Sequence, residues 1–224
     1  MLDVPIYISL AFILITLTTL AILYQASHSS KLMATLVMLW ALAQALLAYF
    51  GFYSDDNLSL PRMFVIIGPA LILIVILFFT NKGKLFIDGL DLAQLTLLHT
   101  IRVPVELVLY LLFIHQTIPD VMTFEGRNYD ILAGITAPFV FYFGFRRKLM
   151  SKDLLLAWNY ISLFLLLNVV VYAILSLELP FQQFGIEQPN RAIRYFPFVW
   201  LPSIVVPIVL FSHLAIIRRL WLRE

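Results

Sequence analysis

Residues 91–118 read DLAQLTLLHTIRVPVELVLYLLFIHQTI, an apolar run with His99, Arg102, Pro104 and Glu106 near its middle. About 20 apolar residues in a helix cross the ~30 Å hydrocarbon core of a bilayer, and this run is long enough. The stretch therefore predicts a membrane-spanning helix that carries three ionisable groups where lipid cannot solvate them. Such groups are costly at membrane depth, and by default they mark a binding or transport site.

Outward from this run, six more stretches qualify. The chain is expected to be an all-α bundle of seven transmembrane helices, at about 5–26, 31–53, 61–80, 91–118, 129–146, 153–178 and 195–218. The fifth is the shortest. Composition agrees, with 62% hydrophobic and 12% charged residues and a mean hydropathy of +0.96, whereas a soluble domain is about 25% charged. Connections are short, so neighbouring helices are expected to pack antiparallel in a single membrane domain covering 1–224. The first stretch follows Asp3 rather than a basic segment and exceeds a signal-peptide core, so it reads as a retained span.

Lysine and arginine set the orientation. One set of connections holds Lys31, Lys82, Lys84, Arg146, Arg147, Lys148, Lys152, Arg218, Arg219 and Arg223, and the other holds Arg62, Arg127, Arg191 and Arg194. The richer set is expected on the cytoplasmic side, which puts the amino terminus outside and the carboxyl terminus in the cytoplasm. Small-residue faces at Ala41/Ala45/Ala48 and Ala133/Ala137 predict close helix packing. Trp200, Trp221, Tyr24, Tyr53 and Tyr195 fall near span ends, where amphipathic rings favour the headgroup layer.

Successive residues of a helix are about 100° apart, so His99 and Glu106 nearly eclipse each other and Arg102 lies within about 60° of both. Thr96, Tyr110 and Thr117 extend this polar stripe, which must face the bundle interior. Arg102 and Glu106 stand i, i+4 and can pair within the helix. Pro104 cannot donate to the carbonyl of Thr100 and displaces it, predicting a kink and a free acceptor beside the charges. Packing alone could account for a buried pair. The added histidine, hydroxyls and freed carbonyl favour a ligand or proton site.

Other spans offer partners. The seventh carries Pro197, Pro202 and Pro207 with Ser203, and repeated prolines free carbonyls that protein or water must satisfy. His213, near its end, lies at a depth similar to His99, so the two are weak candidates to ligate a metal or a haem iron. The sixth span offers Trp158, Asn159, Ser162, Asn168 and Tyr172. Interhelical hydrogen bonding is the simpler role for these, with mid-span Asn168 the better site candidate, and Gln44, one turn from Trp40, is a weaker one. Residues 181–194 form the longest polar connection on the expected outer side and would cover a cavity mouth or simply be solvated. The Arg146-Arg147-Lys148 run suits anionic headgroups.

Several classes are excluded. Without cysteine there is no disulfide, thiolate metal site or cysteine nucleophile. No basic patch with interleaved aromatics suggests nucleic-acid binding. The seventh span has no lysine for a retinal Schiff base. The receptor signatures Asp-Arg-Tyr and Asn-Pro-x-x-Tyr, a Pro-Gln motif, a P-loop, a nucleophile elbow and a metalloprotease motif are also absent.

At Trp158-Asn159, Gln188-Pro189-Asn190 and the run from Phe196 to Pro202, the chain resembles a group of uncharacterised bacterial multi-pass membrane proteins. That resemblance implies a bacterial cytoplasmic membrane and no particular activity. Beside the bilayer itself, the expected partner is a small-molecule or lipid ligand. The leading expectation is binding or translocation of a small solute or protons at His99, Arg102, Glu106, Tyr110, Asn168 and His213. The alternatives are a membrane-embedded enzyme acting on a lipid or a haem or metal cofactor, and a non-catalytic sensor or assembly subunit.

Overall fold

A computed structural model describes residues 3–53 and 60–222 of the chain. Arg223, counted above with the basic connections, lies outside them. Among the described residues every regular element is a helix. In chain order these are α1 (Ile6–Ala26), α2 (Lys31–Tyr49), α3 (Leu60–Phe79), α4 (Asn81–Asp88), α5 (Leu92–Leu98), α6 (Arg102–Ile114), α7 (Ile131–Val140), α8 (Lys152–Leu175) and α9 (Val206–Trp221). Three join into longer rods. A 3₁₀ turn at His99–Ile101 links α5 to α6, a π turn at Phe141–Arg146 extends α7, and another at Leu201–Val205 leads into α9.

Six of these helical stretches are long and apolar enough to cross a membrane: 6–26, 31–49, 62–79, 92–114, 152–175 and 201–221. The expected fifth span is apolar but shorter, Ile131–Arg146. Its ten α and six π residues rise about 24 Å at ~1.5 Å each, less than the bilayer core. The stretch between the third and fourth expected spans, read as a loop, holds the short helix α4. Thr80 caps it by accepting from the Gly83 N–H at 3.2 Å. A β-carbon on Gly83 would meet the Leu77 carbonyl oxygen, so only glycine lets α4 fold back this tightly on α3. The sixth span ends at Leu175 rather than at 178, which leaves Glu178 in the following connection.

Burial shows which helices form the centre. More than half of 201–221 and about half of 92–114 are buried inside the bundle, against about one sixth of α2. Around these two rods α1 packs on α5 and α6, α7 on α6, α8 on α9, and α3 on α9 and its π turn. Starts are capped as composition allows, with Asp91 Oδ1 accepting from the Ala93 and Gln94 N–H groups and Ser151 from Leu154. Ala41, Ala48, Ala133 and Ala137 are all buried at helix contacts. Two aromatics expected at the headgroup layer turn inward instead. Tyr53 is fully buried and donates to Gln44 Oε1 at 2.9 Å, and the Trp200 indole donates to the Ala41 carbonyl at 2.9 Å.

Prolines inside these rods leave carbonyls without their usual partner, and α2 supplies the donors. Pro69 cannot donate to the Val65 carbonyl, which accepts from Gln44 Nε2 at 3.0 Å. Pro207 cannot donate to the Ser203 carbonyl, which accepts from the Trp40 indole at 3.0 Å. Gln44 and Trp40 are thus accounted for by helix packing.

Candidate functional site

Pro104 shapes the site from the backbone up. Its missing N–H and bulky ring tighten the preceding turn into the 3₁₀ segment His99–Ile101, so Arg102 emerges as the first residue of α6. Arg102 is 2% exposed, with its guanidinium pointed across the bundle.

The expected Arg102–Glu106 pair does not form. Arg102 instead makes a two-pronged bond with Asp130. Nε donates to Oδ2 at 2.6 Å, and Nη2 donates to Oδ1. Nη2 also donates to the Ser162 carbonyl at 2.9 Å, and Nη1 lies 3.1 Å from His213 Nε2. The physical reason is reach. An i+4 partner uses one edge of the guanidinium, whereas a carboxylate on a facing helix meets both nitrogens of its fork.

Asp130 is held for this role by its neighbours. It stands at the amino end of α7, where the helix dipole favours a carboxylate, and its own N–H donates to Asn128 Oδ1 at 2.9 Å. One turn further on, Gly134 allows α7 to approach. A β-carbon there would lie 2.8 Å from the Val103 backbone nitrogen and 3.2 Å from Arg102 Cβ.

The two histidines are brought together, but as stacked rings. His99 and His213 have centroids 3.8 Å apart and planes 17° from parallel. His213 Nδ1 lies 3.0 Å from Asn159 Oδ1, while Asn159 Nδ2 donates to the Leu155 carbonyl at 2.8 Å. Since arginine can only donate, His213 Nε2 is the acceptor and Nδ1 carries the hydrogen given to Asn159. No lone pair of His213 is left for a metal, and stacked rings do not converge on one ion. The pair does not fit a metal or a haem iron. His99 is fully buried with neither nitrogen hydrogen-bonded among the described residues. It packs as an aromatic ring, edge-on to Trp158 at 5.6 Å.

Glu106 has a thinner shell. Both carboxyl oxygens face a single donor, Asn128 Nδ2, each at 2.7 Å, and that nitrogen is shared with the Met122 carbonyl at 2.9 Å. Beside Glu106 lies a cavity of about 260 Å³ between α3, α6, α8 and the π turn of α9. Its lining is aliphatic except for Arg102, Glu106, Asp130 and, toward the α8 carboxyl end, Asn190. Ile67 and Leu71 of α3 and Leu167, Val170 and Ile174 of α8 form its flanks. Leu71, Leu167 and Ile174 are also exposed on the outer surface, so the cavity opens sideways between these helices.

The profile of a family described as Domain of unknown function (DUF8737) matches residues 59–221. The chain belongs to this family. No curated protein and no solved structure matches the chain. The matched DUF8737 segment contains every residue of the charged cluster and of the cavity wall, and it excludes α1 and α2.

Two expected site residues of this DUF8737 member lie elsewhere. Tyr110 packs against Phe124 with centroids 4.9 Å apart and rings tilted by 33°, toward the connection before α7. Asn168 Nδ2 donates to the Arg127 carbonyl at 2.8 Å and tethers that same connection. Asn159, expected only as interhelical glue, is the asparagine of α8 that joins the cluster. Asn128 and Asp130 were not singled out at all. The signal was present, because a buried arginine needs a carboxylate, and Asp130 is the acidic residue just inside the expected fifth span.

Proposed function

We propose that the chain is a seven-span protein of the cytoplasmic membrane, with its amino terminus outside, that binds a small molecule in the cavity beside Arg102, Glu106 and Asp130. Helix lengths, the lysine and arginine bias and the short apolar rod Ile131–Arg146 support the topology. The observation that carries the binding reading is the cavity itself. About 260 Å³ of space meets an ionisable side chain, Glu106, whose only hydrogen-bond donor among the described residues is one shared amide. Small-molecule sites combine apolar walls with a few convergent polar groups in this way.

Binding is favoured over passage of protons because the cavity wall is apolar apart from four side chains, which suits an apolar body better than a proton path. Native mass spectrometry of the protein in lipid nanodiscs tests the proposal. The natural protein is expected to carry a co-purified small molecule, and Ala173→Phe and Val206→Phe, which fill the cavity, are expected to lower its occupancy at least tenfold. No adduct in the natural protein, or an adduct unaffected by both substitutions, overturns it.

A further inference from the structure

The cavity's polar contacts are unbalanced in a way that specifies its occupant. Arg102 is the cation on the wall, and Asp130, His213 and the Ser162 carbonyl already hold it. One Arg102 Nη1 hydrogen apart, what remains is acceptor capacity. Glu106 has two carboxyl oxygens served by one amide group that also serves the Met122 carbonyl. Asn190, fully buried, lines the cavity and donates an Nδ2 hydrogen to the Ala173 carbonyl at 3.2 Å, while its Oδ1 has no partner among the described residues. A buried acceptor left unsatisfied is costly, so a ligand that donates to it recovers much of that cost on binding.

Access and size narrow the class further. The flanks at Leu71, Leu167 and Ile174 face the outer surface of the bundle, which in a membrane is lipid. A molecule arriving that way must partition into the bilayer. The volume of about 260 Å³ lies just below the roughly 300–1,000 Å³ of pockets that hold drug-sized ligands, so one ring or one chain segment fits and a two-chain phospholipid does not. An anionic head would face Glu106 and Asp130 with Arg102 already neutralised. An ammonium head would have to be stripped of water to enter from lipid, which disfavours it against a neutral head.

We propose that the occupant is a neutral, hydroxyl-bearing amphiphile with a single chain or ring, entering between α3 and α8 and donating its hydroxyl hydrogen to Asn190 Oδ1 or the Glu106 carboxyl. This rests on the binding reading above and adds the ligand class.

The test uses nanodiscs and four probes at equal bilayer mole fraction: 1-decanol, decane, decanoic acid and decylamine. Occupancy is read by native mass spectrometry and by the rise in unfolding temperature. Decanol is expected to bind at least tenfold tighter than decane and decanoic acid. Asn190→Leu and Glu106→Leu, each removing one acceptor, are expected to shrink that preference severalfold. The preference in the unmodified protein is itself decisive, so misfolding of either variant leaves the test intact. Decane or decanoic acid binding as tightly as decanol overturns the proposal, and decylamine binding tightest replaces the hydroxyl with a cation. If no probe binds while the co-purified molecule is retained, the ligand class is wrong and the binding reading stands. If neither is seen, both fall.

Discussion

Arg102 and Glu106 stand one turn apart on α6 and are sealed almost equally, at 2% and 1% exposed, yet their surroundings differ in kind. Arg102 spends its donors on Asp130, Ser162 and His213, each fixed by another contact. Glu106 meets one shared amide group and a void. Equal burial therefore conceals two roles. A charge with four of its five N–H groups engaged fixes how α6, α7, α8 and α9 come together. A carboxyl with a partial shell beside open space is where something else can enter.

The largest expected effect follows from the Arg102 shell. Arg102→Met leaves the Asp130 carboxylate buried without a cation, and breaking a buried pair from one side costs roughly 3–5 kcal/mol. Reversible unfolding in mixed detergent micelles measures this. Arg102→Met combined with Asp130→Leu is expected to recover most of the loss, because no uncompensated charge remains. Glu106→Gln keeps an oxygen to accept from Asn128, so it is expected to change stability by under about 1 kcal/mol. Were Glu106→Gln as damaging as Arg102→Met, the contrast between the two shells would collapse.

The stacked histidines repeat the contrast on a smaller scale. His213→Phe orphans an Arg102 N–H and Asn159 Oδ1, and is expected to cost about 1–3 kcal/mol at the usual penalty for a buried unsatisfied group. His99→Phe removes no hydrogen bond and keeps a flat ring against His213 and Trp158, so it is expected to be neutral or mildly stabilising. The same micelle unfolding curves compare them. A His99→Phe loss matching that of His213→Phe would mean that the His99 nitrogens have a partner.

How far these features were legible in the sequence depends on the distance over which each is decided. Apolar run length is local, and it marked the long helices. Pro104 acts on its own turn, and the tightened segment before Arg102 lies where its missing N–H predicts. The inward stripe was readable too, because lipid cannot solvate it wherever the other helices stand. Partner choice was not readable. Arg102 had an acid four residues away and another 28 residues away, and only the approach of α7 over Gly134 decides for the distant one. Histidine stacking and the pairing of Trp40 and Gln44 with proline-freed carbonyls likewise depend on how rods cross, which periodicity along one rod does not encode.

The connection after α8 offers the mildest way to sharpen the comparison, because it holds a carboxylate with a full shell outside the spanning helices. Glu178 Oε1 accepts from Arg191 Nε and Nη2 at 2.9 and 2.6 Å, and Oε2 lies 2.6 Å from Arg194 Nη2. Partial burial pushes the Glu178 pKa up, but the two guanidiniums together outweigh it and hold the group below the ordinary value of 4.5. A carboxyl lowered by folding adds stability that is fully present above that ordinary value and is lost as pH falls through the lowered one. Hydrogen exchange over residues 176–195 is therefore expected to stay flat from pH 7 to 4.5, after correction for the intrinsic rate, and to accelerate below that. Glu178→Gln is expected to abolish the acid-side change and leave exchange elsewhere unaltered. Solvent at Arg191 screens this bridge, so the effect should be far smaller than that of opening the Arg102 cluster. Acceleration that survives in Glu178→Gln would assign the acid sensitivity to another carboxyl.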